Sequence, residues 1–149
     1  MKKRLHKSPM TSRLRVSRSL AILLGVVIPA LEVLRRWGTW WQYPPAFLDD
    51  FLLGGFLLVG AWATRPPVNE HGRSVLASSW AFALGMIYCS ASVHHQALLR
   101  GEPDPAPIPS SWVLAVKLVG LAVVLGAMLL SLLPDRQSEP PSGSPRPDA

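Results

Sequence analysis

The chain has 149 residues, 49% of them apolar and 16% charged, with a formal net charge of +6. That length fits one domain, and the composition is that of a membrane protein rather than a soluble enzyme. The basic residues adjoin apolar runs instead of forming a soluble basic fold, so no nucleic-acid partner is expected, and the single cysteine, Cys89, excludes an internal disulfide.

Residues 1–18 form a basic tail with Lys2, Lys3, Arg4, Lys7, Arg13, Arg15 and Arg18, and no acid precedes Glu32. A basic start followed by apolar residues 20–28 has the outline of a signal peptide, and its Arg/Ser content that of a transit peptide. No small-x-small cleavage site precedes Glu32, and Pro29 interrupts the expected position. The segment therefore reads as a retained first span over 19–36, closed by Glu32. The connection over 35–46 carries Trp37, Trp40, Trp41 and Tyr43 before Pro44 and Pro45. Amphipathic rings favour the headgroup level, so this loop is expected along the outer interface.

A second span over 46–64 opens with Asp49 and Asp50. Residues 65–73 contain Pro66, Pro67 and Gly72 and predict a tight hairpin into a third span over 74–99, closed by His94 and His95. The strap over 101–111 alternates Pro103, Pro105, Pro107 and Pro109, which favours extended polyproline. Ser110 or Ser111 can cap a fourth span over 111–133, with Trp112 at the interface and Lys117 early in the helix. Residues 134–149 are Pro/Ser-rich and expected to be disordered.

A helix needs about 20 apolar residues to cross about 30 Å of hydrocarbon. The apolar runs 20–34 and 47–64 reach that length only by including Glu32 and the Asp49–Asp50 pair. Basic residues crowd the tails and the second connection, while only Arg35, Arg36 and Arg100 fall on the other side. The positive-inside rule then puts both termini in the cytoplasm. The predicted architecture is an all-α integral membrane four-helix bundle, up-down-up-down, in a bacterial inner membrane.

Because antiparallel spans alternate, Glu32, Asp49, Asp50, His94, His95 and Lys117 form one polar layer near the periplasmic face. Ionisable groups at such depth mark a paired network or a functional site. Helical spacing puts Ala21, Gly25, Ile28 and Glu32 on one stripe, and Asp50, Gly54, Leu57 and Ala61 on another. Ser78, Ala81, Gly85, Tyr88, Ser92 and His95 align in the third span; Lys117, Gly120, Val124, Ala127 and Ser131 align in the fourth. Small residues mark helix–helix contacts in membranes, so all four stripes are expected to face the bundle. Lys117 would pair with Asp50 or Glu32, while Asp49 and His94 would sit off the central stripes.

A metal site would need His95 with carboxylates such as Asp50, but no HExxH or histidine box accompanies them. Bis-histidine haem ligation needs histidines on two helices, and the others, His6 and His71, are expected on the cytoplasmic side; Cys89 has no CxxC partner. No cofactor is predicted. Small multidrug transporters also have four spans and a carboxylate in the first; the chain resembles them in that outline alone, with Glu32 near the outer end rather than the midplane. The segment EVLRRWGTWWQYPPAFLDDFLLGGFLLVGAWA resembles a pattern in small four-span bacterial inner-membrane proteins of uncharacterised activity. That resemblance implies a bacterial source and no activity.

The expected function is non-enzymatic: a bundle whose polar layer organises packing or docks a partner, either a second copy or another membrane protein. The alternatives are a homo-oligomeric proton-coupled carrier using Glu32, Asp50 and Lys117, and a metal- or quinone-linked membrane enzyme using His95 and Asp50.

Overall fold

A computed structural model of the chain describes residues 11–35, 37, 44–101 and 110–133. They form four helices: α1 (Ser12–Arg35), α2 (Pro44–Ala63), α3 (Glu70–Arg100) and α4 (Ser110–Leu132). Three spans, Ser12–Leu34, Glu70–Arg100 and Ser111–Leu132, are long and apolar enough to cross a membrane. Residues 1–10 of the expected 1–18 tail, the tail at 134–149, the aromatics Trp40, Trp41 and Tyr43 and residues 102–109 of the strap lie outside the described residues, whereas residues 12–18 are helical rather than tail.

The first helix starts seven residues earlier than the apolar pattern suggests. Thr11 accepts a long 3.5 Å bond from the Leu14 amide, and Arg15 N–H donates to the Thr11 carbonyl at 3.0 Å, so the first turn is capped. Arg13 and Arg15 point outward, where long basic stems lie along a helix while their heads stay in polar surroundings. α3 likewise starts earlier, because Asn69 caps it by accepting from Gly72 N–H at 2.7 Å. It ends at Gly101, whose left-handed φ of 65° lets its N–H return to the last-turn carbonyls of Ala97 and Leu98.

Each helix packs on its chain neighbours, and α1 also packs on α4, closing a ring. The core is Leu14, Ala21, Leu53, Leu57, Ala61, Leu76, Trp80, Ala83, Val124 and Ala127. α1 and α2 cross at glycines. A Cβ on Gly54 would lie 2.6 Å from the Gly25 carbonyl oxygen and 2.5 Å from Pro29 Cγ, so only hydrogen fits there. Pro29 interrupts the backbone ladder of α1 yet is packed against that crossing, a position where membrane helices tolerate proline. α2 meets α3 through Gly60, where a Cβ would lie 2.6 Å from Ser79 Oγ, and through Phe56 and Phe82, whose ring centroids are 4.7 Å apart.

The stripes in α1, α2 and α4 face the bundle: Ala21, Gly25, Glu32, Gly54, Leu57, Ala61, Val124, Ala127 and Ser131 are buried. The third helix is turned the other way. Ser78, Ala81, Gly85, Tyr88 and His95 point outward, and the inward face carries Leu76, Ser79, Trp80, Ala83 and Ala91. The cause is Trp80, a large ring that belongs in the core once its N–H has an acceptor.

The crossing makes a direct prediction. Gly54→Val should destabilise the bundle by about 1–3 kcal/mol through overpacking. Gly55→Ala, where a Cβ meets nothing within 4 Å, should leave stability unchanged or slightly raised. Thermal unfolding of the two variants in detergent checks this.

Candidate functional site

The residues of the expected polar layer differ in burial. Glu32 is buried with 6% of its surface accessible; Asp50, His94 and Lys117 are half-buried; Asp49 and His95 are exposed. The order of the two histidines is thus reversed from the stripe pattern, because rotating α3 to seat Trp80 brings His94 inward and sends His95 out. Lys117 Nζ donates to Ser90 Oγ at 2.6 Å, joining α4 to α3. Trp37 and Trp112 are exposed at 79% and 69%. Where apolar helices meet headgroups, such aromatics form the expected belt.

A second polar cluster lies at the opposite end, centred on Ser17 and Trp80, which the sequence pattern did not single out. The N-terminal turns of α1 and α3 meet the C-terminal turns of α2 and α4 there. Trp80, wholly buried on α3, donates its indole N–H to Ser17 Oγ at 2.9 Å. Ser17, buried on α1, donates in turn to the Ala127 carbonyl of α4 at 2.9 Å. One hydroxyl therefore ties three helices. Arg18, the next residue, donates its Nε–H to the Ala61 carbonyl of α2 at 3.0 Å and brings in the fourth.

Helix ends supply the other bonds. Thr64 Oγ donates to the carbonyls of Gly60 and Ala61 at 3.2 and 3.0 Å, which closes the last turn of α2. Arg73 on α3 donates Nη2–H to the Leu133 carbonyl at 2.6 Å, just past the end of α4. A cation at a helix C-terminus satisfies free carbonyls and complements the dipole. No buried side-chain polar atom among the described residues lacks a partner. The signal available in sequence was Trp80 itself, an indole inside the third span. Its acceptor, Ser17, lay within what reads as a basic tail.

Among the described residues no three His, Cys, Asp or Glu side chains gather closely enough to hold a metal ion. A groove of about 450 Å³ between α1 and α2 lies at the basic end, lined in part by Arg18 and Arg65. Comparison of the chain with known protein families, curated proteins and solved structures finds no match.

Two surfaces among the described residues combine polar or small side chains with exposure. One is the charged groove at the basic end. The other is the outward face of α3, where Ser74, Ser78, Ala81, Gly85 and Cys89 recur at helical spacing. A Cβ on Gly85 meets nothing within 4 Å.

The Ser17 cluster is testable on its own. Ser17→Ala strands a buried indole N–H and should cost about 1–2 kcal/mol in detergent. In a double-mutant cycle with Trp80→Phe, the two losses should be less than additive by about 1 kcal/mol. Strict additivity in thermal melts would remove the bond from the account.

Proposed function

We propose that this protein is a non-enzymatic four-span membrane subunit that docks a transmembrane helix on the outer face of α3. In this reading α2 crosses the bilayer as the fourth span, its aspartates at the far interface. The helices alternate up-down-up-down in a bacterial inner membrane, with both termini cytoplasmic. The concentration of Arg13, Arg15, Arg18, Arg65 and Arg73 at one end of the bundle supports that orientation.

The observation that carries the docking role is the outward stripe of α3. Lipid tails are as apolar as leucine, so membrane helices associate through close backbone approach at small residues and through hydrogen bonds between polar ones. The bundle's own contacts use a different face of α3, which leaves Ser78, Ala81 and Gly85 against lipid. Ser74 and Ser92 return their hydroxyls to the Glu70 and Tyr88 carbonyls of their own helix, so neither hydroxyl is a cost to the free protein. A carrier would need a water-filled cavity reaching Glu32 and Asp50.

Cys89 lies on this face and is exposed, so it serves as a built-in reporter. If the partner is a second copy, mild oxidation in native membranes should give a disulfide-linked dimer, and Gly85→Leu should abolish it without altering thermal stability. If the partner is another protein, a photocrosslinking phenylalanine analogue at position 81 should yield one discrete heavier adduct, again lost in Gly85→Leu. Monomer alone in both experiments would reject the docking role.

A further inference from the structure

We infer that the groove between α1 and α2 at the basic end binds the phosphodiester headgroup of an anionic phospholipid, with the acyl chains lying along the apolar wall beside it. This inference rests on the membrane-spanning reading of the bundle. The groove encloses about 450 Å³, and its lining changes character with depth. Its charged part is formed by Arg18 and Arg65. Ile22 lies one turn along α1 from Arg18, and Leu58 and Val59 lie about two turns along α2 from Arg65, both in the direction of the hydrocarbon. A phospholipid has the same order of chemistry, an anionic phosphate at the interface above apolar chains. Basic pockets between membrane helices suit such headgroups.

The two arginines are held in different ways. Arg18 is half-buried, and its Nε–H is committed to the Ala61 carbonyl at 3.0 Å. That bond fixes the plane of the guanidinium and leaves its Nη edge for a second acceptor; a planar fork matches phosphate oxygens in a way a lysine cannot. Arg65 is exposed, and its guanidinium carbon lies 5.8 Å from the centroid of the Trp62 ring. Trp62 itself is 62% exposed and lines the same groove, an amphipathic ring placed where headgroups meet chains. Capping of α2 accounts for one Nε–H of Arg18. It accounts neither for Arg65 nor for the groove between them.

The test is native mass spectrometry of the full-length chain in mild detergent, titrated in parallel with phosphatidylglycerol, phosphatidylcholine and inorganic phosphate. Wild type should bind phosphatidylglycerol about tenfold more tightly than phosphatidylcholine, because both carry the phosphodiester but only phosphatidylcholine brings a cationic choline against the two guanidiniums. The combined variant Arg18→Gln and Arg65→Gln should lose that preference. Arg13→Gln with Arg15→Gln, at exposed positions of α1 outside the groove, should keep it. Should loss of the Arg18 cap prevent folding, Arg65→Gln alone, at an exposed position, should still reduce the preference several-fold.

Equal binding of the two lipids overturns the site. So does an Arg65→Gln variant indistinguishable from wild type, or an equal loss in the Arg13 and Arg15 variant, which would indicate diffuse surface charge. Displacement of phosphatidylglycerol by millimolar inorganic phosphate would make it a free-anion site and reject the lipid. Failure of the membrane reading looks different: the chain would then be released from membranes by alkaline carbonate without detergent.

Discussion

In hydrocarbon a buried polar group has no water to fall back on, so each one must meet a protein partner or impose a large cost. Ser17 is where this chain meets that requirement most economically. Its oxygen accepts from Trp80 of α3, while its proton goes to a carbonyl of α4. A bulky indole can then sit in the centre of the bundle, and with it the rotation of α3 is set. Every other facing relation follows. Ser79 meets Gly60, Phe82 stacks near Phe56, His94 turns inward, and the small stripe from Ser74 to Cys89 turns out.

The two ends of the bundle are held by different means. At the basic end, side chains bond to backbone carbonyls of neighbouring helices through Ser17, Arg18 and Arg73, and Thr64 closes its own helix end. Such bonds are directional and fix register. Between the ends, α1 and α2 approach so closely at Gly25 and Gly54 that backbone meets backbone, and dispersion contacts replace side-chain bulk. At the far end Lys117 ties α4 to α3 through Ser90. The arginines of the basic end are partly consumed in capping, and the remainder of that charge faces the interface. A lipid site therefore grows out of the same residues that anchor the helices.

Much of this was legible in the sequence. Helix number followed from the apolar runs, and the inward faces of α1, α2 and α4 followed from small residues sharing a stripe with an ionisable one. α3 was not legible in this way because it is small on both faces. Ser79, Ala83 and Ala91 look inward, whereas Ser78, Ala81 and Gly85 look outward, and periodicity alone cannot rank them. Trp80 decides between the faces, yet its choice depends on a partner 63 positions away in a segment whose arginines made it read as a tail. The start of α1 was hidden for the same reason: arginine is a good helix former, and helix can continue past the end of the apolar run. Ser17 joins three helices through an uncharged hydroxyl, a group that charge and hydropathy patterns do not flag.

The architecture turns on whether α2 crosses the bilayer, since that places its aspartates and the basic groove on opposite sides. The direct measurement is labelling by a membrane-impermeant maleimide in intact cells, using single cysteines in a Cys89→Ser background. Trp37→Cys precedes α2 and His71→Cys follows it, and both native residues are exposed. The account predicts immediate labelling at position 37 and labelling at position 71 only after the membrane is permeabilised. Labelling of both positions from the same side would mean that α2 does not cross, and would contradict the four-span bundle.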